Sequence, residues 1–169
     1  MHSSEHLERY VARAREMGAL DARLVDSSSV VTDPWVRWKC QYGCGGFNSN
    51  LCCPPHSPTP EQTRRVLDSY RRALLVRGTV GSDIHRWVID LERELFLDGY
   101  YKAFALSSGP CSLCKECNRD RCARPGEARP SMEACGIDVF ATVRKQNLPI
   151  NVVTDRAGDQ DCYGLLLIE

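Results

Sequence analysis

The chain has 169 residues, of which 43% are hydrophobic and 26% are charged, so it is long enough to bury one substantial core. Its 22 basic and 22 acidic side chains balance, which removes the usual electrostatic reason to expect nucleic acid or an anionic membrane as a partner. Residues 1–6 lack the pattern of a secretory signal, and no apolar run could span a bilayer. We therefore expect a single cytoplasmic domain over residues 1–169.

Hydrophobic periodicity predicts the elements of the first half of the chain. Apolar side chains at helical intervals in residues 5–20 predict an amphipathic helix. Residues 22–39 are rich in Val, Thr and Trp and contain an Asp-Pro turn, which predicts two short strands. A helix capped by Thr59 should then run to about Tyr70, and a short buried strand should follow at residues 73–76.

The next segment predicts a crossover connection. Ser82 can cap an amphipathic helix that Gly99 ends, and residues 100–106 read as a strand. A strand, a helix and a strand in this order favour a right-handed crossover with parallel pairing of the two strands. The second strand would then end beside residues 107–111, at a position that ligand sites favour.

The C-terminal part predicts one more helix and a hairpin. Ser131 can cap the helix, and residues 150–154 and 164–168 read as two short strands. The whole pattern predicts an α/β fold with a small mixed β-sheet flanked by helices. Two Cys-rich metal-binding loops, at residues 40–60 and 107–135, should meet on one side of it.

The ten cysteines require an explanation in a compartment that keeps thiols reduced. Disulfides are the simple alternative, but these cysteines are too tightly clustered to connect distant parts of a small fold. Metal binding is therefore the leading interpretation.

The ferredoxin-like cluster Cys111-x2-Cys114-x2-Cys117-x4-Cys122 is the strongest local signal. Three thiolates spaced by three residues can surround one corner of a [4Fe–4S] cluster while backbone amides face the sulfurs. Bacterial ferredoxins have three residues before the last cysteine, whereas four intervene here, so the fourth ligand stays open between Cys122, Cys135 and a cysteine of the other loop. Zinc is the competing metal, although it usually takes two separated pairs of cysteines.

The loop at residues 40–60 carries Cys40, Cys44, Cys52 and Cys53 among several glycines and prolines. The glycines permit the close approach that a loop around an inorganic group requires. Adjacent Cys52 and Cys53 are not expected to bind one metal together, so three thiolates and an exchangeable fourth position are the natural count, with Cys52 or His56 as alternatives. A loop of buried, inert cysteines is the simpler interpretation.

Four segments together resemble a known family. They are Cys40-Gln-Tyr-Gly-Cys44, Cys53-Pro-Pro-His-Ser-Pro-Thr-Pro60, the cluster of residues 111–122, and Ala128-Arg-Pro-Ser-Met-Glu-Ala-Cys-Gly-Ile-Asp-Val139. This set is similar to the bacterial and archaeal family of predicted metal-binding proteins, domain of unknown function 2284, over nearly the whole chain. The resemblance implies a small iron–sulfur protein with metal-site cysteines Cys40, Cys44, Cys53, Cys111, Cys114, Cys117 and Cys122. Cys52 and Cys162 look like extras in this pattern, and Cys135 is intermediate.

Other polar residues near the clusters have simpler interpretations. Arg124, Arg129 and Glu133 are expected to form a solvated charged face, and His85 is expected to be a helix-capping or surface residue. The chain contains no phosphate loop, dinucleotide fingerprint or hydrolase triad order, which disfavours hydrolases and nucleotide-dependent enzymes.

The favoured function is redox chemistry. One [4Fe–4S] cluster at residues 111–122 would serve electron transfer with a redox partner protein, and a second cluster at residues 40–53 would have an open iron for substrate or sulfur chemistry. The open iron would make the chain an oxidoreductase or a sulfur-transfer enzyme, and full ligation would make it an electron carrier. A structural zinc-binding interaction module is the alternative.

Replacing Cys114 or Cys117 by Ser should remove metal and destabilise the fold, because a loop with few apolar residues has little else to order it. Replacing Cys162 by Ser should do much less. Metal content per chain and thermal unfolding measure both effects. Equal metal loss from Cys162→Ser would show that the ligands are grouped wrongly.

Overall fold

The computed structural model describes residues 4–155 and 158–169. Five α-helices are found in these residues: α1 Ser4–Glu16, α2 Trp35–Gly43, α3 Pro60–Leu67, α4 Ile84–Leu97 and α5 Val139–Lys145. The strands are β1 Asp21–Asp26, β2 Arg72–Thr79, β3 Phe104–Leu106 and β4 Asp161–Leu167. Within the same residues no helix is both long and apolar enough to cross a membrane.

The four strands form one sheet in the order β1-β2-β4-β3, and every neighbouring pair is antiparallel. The α/β class and the small sheet flanked by helices are confirmed, but the sheet is antiparallel throughout and not mixed. The predicted direct pairing of β2 with β3 is wrong, because β4 lies between them. These two strands still run in the same direction, since each is antiparallel to β4. The last five residues of β4 are all buried, in agreement with its central position in the sheet.

The sheet separates two apolar cores. In β2, Leu74 and Val76 face α1 and α4, whereas Ala73 and Leu75 face the layer that contains α5. This alternation is the period of two that a strand imposes on its side chains. Both faces are covered, so the site has to form at an end of the sheet or among the loops.

The second predicted strand in residues 22–39 is wrong, because that segment forms α2 after the single strand β1. Asp33 starts the helix, since its side-chain oxygen accepts a hydrogen bond from the Trp35 N–H at 3.2 Å. Asp-Pro is compatible with a helix start as well as with a turn between strands. Cys40 therefore lies on a helix and does not follow an extended segment.

The predicted C-terminal hairpin is also wrong, because residues 151–154 form no strand and β4 pairs with β2 and β3 instead. Two helices are capped by other residues than the sequence predicted. Asp83 caps α4 in place of Ser82, and Asp138 caps α5 in place of Ser131. Thr59 does cap α3, in a reciprocal capping box with Gln62.

Gly136 fixes the contact between α3 and the 3-10 turn Glu133–Cys135. Its φ is +75°, in the left-handed region that favours glycine. A Cβ at this position would lie 2.8 Å from the Cβ of Pro60, which is the first residue of α3. The close approach therefore needs a residue without a side chain.

Gly136→Ala should lower the free energy of unfolding by about 2 to 4 kcal/mol, because the change combines left-handed backbone strain with overpacking against Pro60. Chemical denaturation measures the difference. Gly81→Ala is the control, since no atom lies within 4 Å of its added Cβ. Similar stabilities for the two variants would contradict the prediction.

Candidate metal centre

A cavity of about 820 Å³ opens where β2 ends and β4 begins. Its wall includes Thr79 at the end of β2, Cys162 in β4 and His85 at the start of α4. The loop after β3 contributes residues 108–110. We call it the sheet-end cavity. Residues 107–111 were predicted to lie at the end of a strand, and the structure places this loop there.

The first cysteine group, Cys40, Cys44 and Cys53, lines the sheet-end cavity. Cys40 lies on α2, Cys44 directly follows that helix, and Cys53 belongs to the irregular loop before α3. The Gly46 N–H donates to Cys44 Sγ at 3.3 Å, and Asn50 Nδ2 donates to Cys53 Sγ at 3.3 Å. A Cβ on Gly46 would lie 3.4 Å from Cys44 Sγ and 3.5 Å from Cys53 Sγ, so both sulfurs flank this glycine.

The second group, Cys111, Cys114, Cys117 and Cys122, lines a separate small cavity, and Cys52 lines it as well. We call it the five-cysteine cavity. Burial raises the pKa of Cys52 to about 12, and the neighbouring thiols of Cys111 and Cys122 contribute further. Cys52, which looks like an extra from the sequence, therefore lies among the residues predicted to bind a cluster.

The two groups share a wall formed by Cys52, Cys53, Asn50 and Cys111. The backbone N–H of Cys111 lowers the pKa of Cys53, although Cys111 itself belongs to the other group. Asn50 is 5% exposed and accepts the Cys52 N–H at 2.9 Å through Oδ1 while its Nδ2 donates to Cys53 Sγ. Burial raises the pKa of Cys53, and these two donors oppose that rise. The cysteine groups are therefore adjacent, on one side of the molecule.

Cys135 and His56 line neither the sheet-end cavity nor the five-cysteine cavity, although both line a third cavity together with Cys52 and Cys122. Cys135 is 2% exposed in the apolar core beside Ile137, and burial raises the pKa of its thiol to about 12. His56 is exposed, and its Nε2 lies 3.0 Å from Asn48 Oδ1. Cys162, in contrast, lines the sheet-end cavity with the first group.

The polar residues of the sheet-end cavity include Glu133 and His85. Burial raises the pKa of Glu133, and its Oε2 has no hydrogen-bond partner among the described residues. His85 Nδ1 lies 3.2 Å from Ser107 Oγ, and its Nε2 is buried and likewise without a described partner. Both side chains are partly exposed in the cavity wall, so the fully solvated face expected for Glu133 is wrong, whereas the position of His85 at the start of α4 agrees with the expectation. In the sequence, the position of Glu133 between the apolar residues Met132 and Ala134 was the feature that could have indicated its place in the cavity wall.

Two arginines hold the irregular loops in place. Arg37 of α2 donates from Nη1 to the carbonyl oxygens of Pro58 at 2.8 Å and Ala134 at 3.2 Å. Arg129 donates from Nε to Glu92 Oε2 at 2.8 Å, and both side chains are largely buried. The expected solvated face is therefore wrong for Arg129, because it fastens the chain after the second cysteine group to α4.

The family comparison agrees with this arrangement. A family model described as predicted metal-binding protein, DUF2284, matches residues 23–168, which include all ten cysteines. The chain belongs to this family. No curated protein and no solved structure matches the chain. Within residues 4–155 and 158–169, no three His, Cys, Asp or Glu side chains form a ready-made site for a single metal ion.

The cysteine groups of this DUF2284 member fit a thiophilic metal group in their chemistry. Thiolate sulfur suits zinc and iron–sulfur clusters, and N–H donors directed at sulfur are typical of the surroundings of such sites. Burial raises the pKa of Cys40, Cys52 and Cys53, so metal binding has to displace their protons.

Asn50→Asp should weaken metal binding at the first group, because it replaces the N–H donor to Cys53 by an acceptor and places a buried carboxylate beside thiolates. Metal content and the visible spectrum measure the effect. Asn147→Asp is the matched control, since this exposed side chain follows α5 and lines neither the sheet-end cavity nor the five-cysteine cavity. Equal metal content in the two variants would contradict the role of Asn50.

Proposed function

We propose that the protein is an iron–sulfur protein with a redox function. In this proposal one [4Fe–4S] cluster is held by Cys111, Cys114, Cys117 and Cys122, and a second cluster is held by Cys40, Cys44 and Cys53. The observation that carries the proposal is the shared wall, because it places two groups of thiols side by side. Adjacent redox centres are the arrangement that electron transfer requires.

The number of available thiols differs between the two groups. The five-cysteine cavity has one thiol more than a fully ligated cluster needs. Cys52 can therefore be the fourth ligand in place of Cys122, or it can lie beside the cluster without binding it. The first group has three thiols, and beyond them lies the sheet-end cavity with Cys162 in its wall. An open position is therefore expected in the first group and not in the second.

This difference assigns a role to each group. Residues 111–122 would hold the electron-transfer centre and would exchange electrons with a redox partner protein in the cytoplasm. Residues 40–53 would hold the centre at which a substrate binds. When bound there, a cluster with one iron not held by the protein supplies an exchangeable Lewis-acidic position for substrate or sulfur chemistry. The protein would then be an oxidoreductase or a sulfur-transfer enzyme.

Structural zinc is the alternative, because thiolate groups also hold this metal in interaction modules. Anaerobic purification followed by iron, zinc and sulfide analysis separates the two. Brown protein with comparable amounts of iron and sulfide supports the proposal. Colourless protein with zinc and no sulfide would refute it and establish the zinc alternative.

Adding 2-mercaptoethanol to the anaerobically purified, reduced protein should change the electron paramagnetic resonance signal of one cluster and leave the other unchanged, because only an open iron accepts an external thiol. Cys53→Ser should abolish the response, whereas Cys135→Ala, the matched change outside both groups, should keep it. His56→Ala should also keep it, since His56 contacts Asn48 and does not line the sheet-end cavity. If the wild-type protein does not respond, the open-iron mechanism is refuted and the electron-carrier function remains.

A further inference from the structure

The sheet-end cavity contains polar groups that thiol-bound clusters do not use. Glu133 and His85 line the cavity with Cys40, and in each a polar atom is buried without a hydrogen-bond partner among the described residues. Glu133 also acts electrostatically on Cys40, so it lies close to the first cysteine group. Glu133 is therefore beside the proposed substrate position, and His85 lines the same cavity.

Unpaired buried polar atoms are rare in native proteins, because removing a polar atom from water without a new hydrogen bond is unfavourable. The remaining acidic residues of the cavity have partners. Asp161 forms an ion pair with Arg77 at 2.8 Å, and Asp83 and Asp138 accept N–H groups as the caps of α4 and α5. Glu133 differs from them because its buried Oε2 has no hydrogen-bond partner among the described residues.

The charge and shape of the cavity define what it can accept. Its four acidic residues face a single lysine, Lys39, so an anionic ligand is disfavoured. Apolar side chains such as Val36, Phe47 and Phe140 form part of the wall. A volume of about 820 Å³ lies within the range of small-molecule sites.

We infer that the sheet-end cavity binds a small organic molecule with an apolar body and a neutral or positively charged head group that donates hydrogen bonds, such as an alcohol or an amine. Glu133 and His85 contact the head group, and the apolar wall contacts the body. The inference deepens the proposed function and rests on it for the metal site beside the head group. Glu133 and His85 thereby determine the specificity of that site.

The test uses three probes with related aromatic bodies: benzyl alcohol, benzylamine and phenylacetate. Saturation-transfer NMR on the anaerobically purified protein should detect benzyl alcohol and benzylamine, and phenylacetate should bind at least about tenfold more weakly, since its anionic head meets an acidic cavity. Glu133→Leu and His85→Phe should each weaken the alcohol by roughly tenfold, the equivalent of one lost hydrogen bond. Glu8→Leu on exposed α1 and His56→Phe are the matched controls and should bind like the wild type.

Each variant is first checked for folding by circular dichroism and for metal content. If Glu133→Leu does not fold, Glu133→Gln replaces it and should keep the alcohol while weakening the amine, because the amide keeps an acceptor but not the charge. The inference is overturned if no probe binds to the wild type, if phenylacetate binds as well as the alcohol, or if the variants bind all probes like the controls. Metal loss from the folded Glu133 or His85 variants would overturn it too, by making these residues part of the metal site.

The binding test and the metal analysis can refute the two proposals independently. Protein without iron and sulfide refutes the proposed function, and loss of probe binding in a protein that contains both refutes only the inference about the cavity.

Discussion

The arrangement of the whole site depends on two consecutive residues, Cys52 and Cys53, whose thiols belong to different cavities. Neighbouring side chains on an irregular backbone diverge, so a Cys-Cys pair can contribute to two adjacent groups but not readily to one. The backbone then becomes the partition between them, and Asn50 contacts both sides of it through its two polar atoms. Local chain geometry therefore places the Cys52 and Cys53 thiols in different cavities, while the packing of residues 111–122 against this loop completes the second group.

The loops that carry these cysteines contain little apolar material, so their positions depend on a few directed contacts to the rigid part of the fold. Arg37 links α2 to the end of one loop and to the 3-10 turn, and the Arg129 to Glu92 pair links the other loop to α4. Arg129 is tied to α4, which packs on the sheet, whereas Arg37 belongs to α2, which packs on the 3-10 turn Glu133–Cys135. A few hydrogen bonds thus attach the thiol-bearing loops to the rest of the fold. This arrangement suits a site whose final geometry an inorganic group completes.

The sequence was informative where local rules decide the structure. The Thr59 capping box and the period of α1 specify those helices without help from the rest of the chain. The second strand predicted in residues 22–39 was wrong because β-branched and aromatic residues were taken as strand-forming. Asp33 instead starts a helix that presents Val36 to the interior. The insertion of β4 between β2 and β3 is a tertiary choice that periodicity does not encode. For the site, spacing identified the cysteine loops, but the neighbours of Cys52 and the buried position of Glu133 Oε2 arise only from the fold.

The sheet-end cavity combines features that would each be costly alone. Burial raises the pKa of Cys40, Cys53 and Glu133, so the charged forms of these groups are disfavoured in the metal-free protein. A cationic centre held by the thiols would reverse this preference for the sulfurs, because it compensates their charge at contact distance. Glu133 is farther from such compensation than the thiols that bind directly. In the proposed function, the cavity therefore offers one acidic group to a ligand, next to a metal position that the protein does not fill. This separation of roles would distinguish a reaction site from a purely structural metal site.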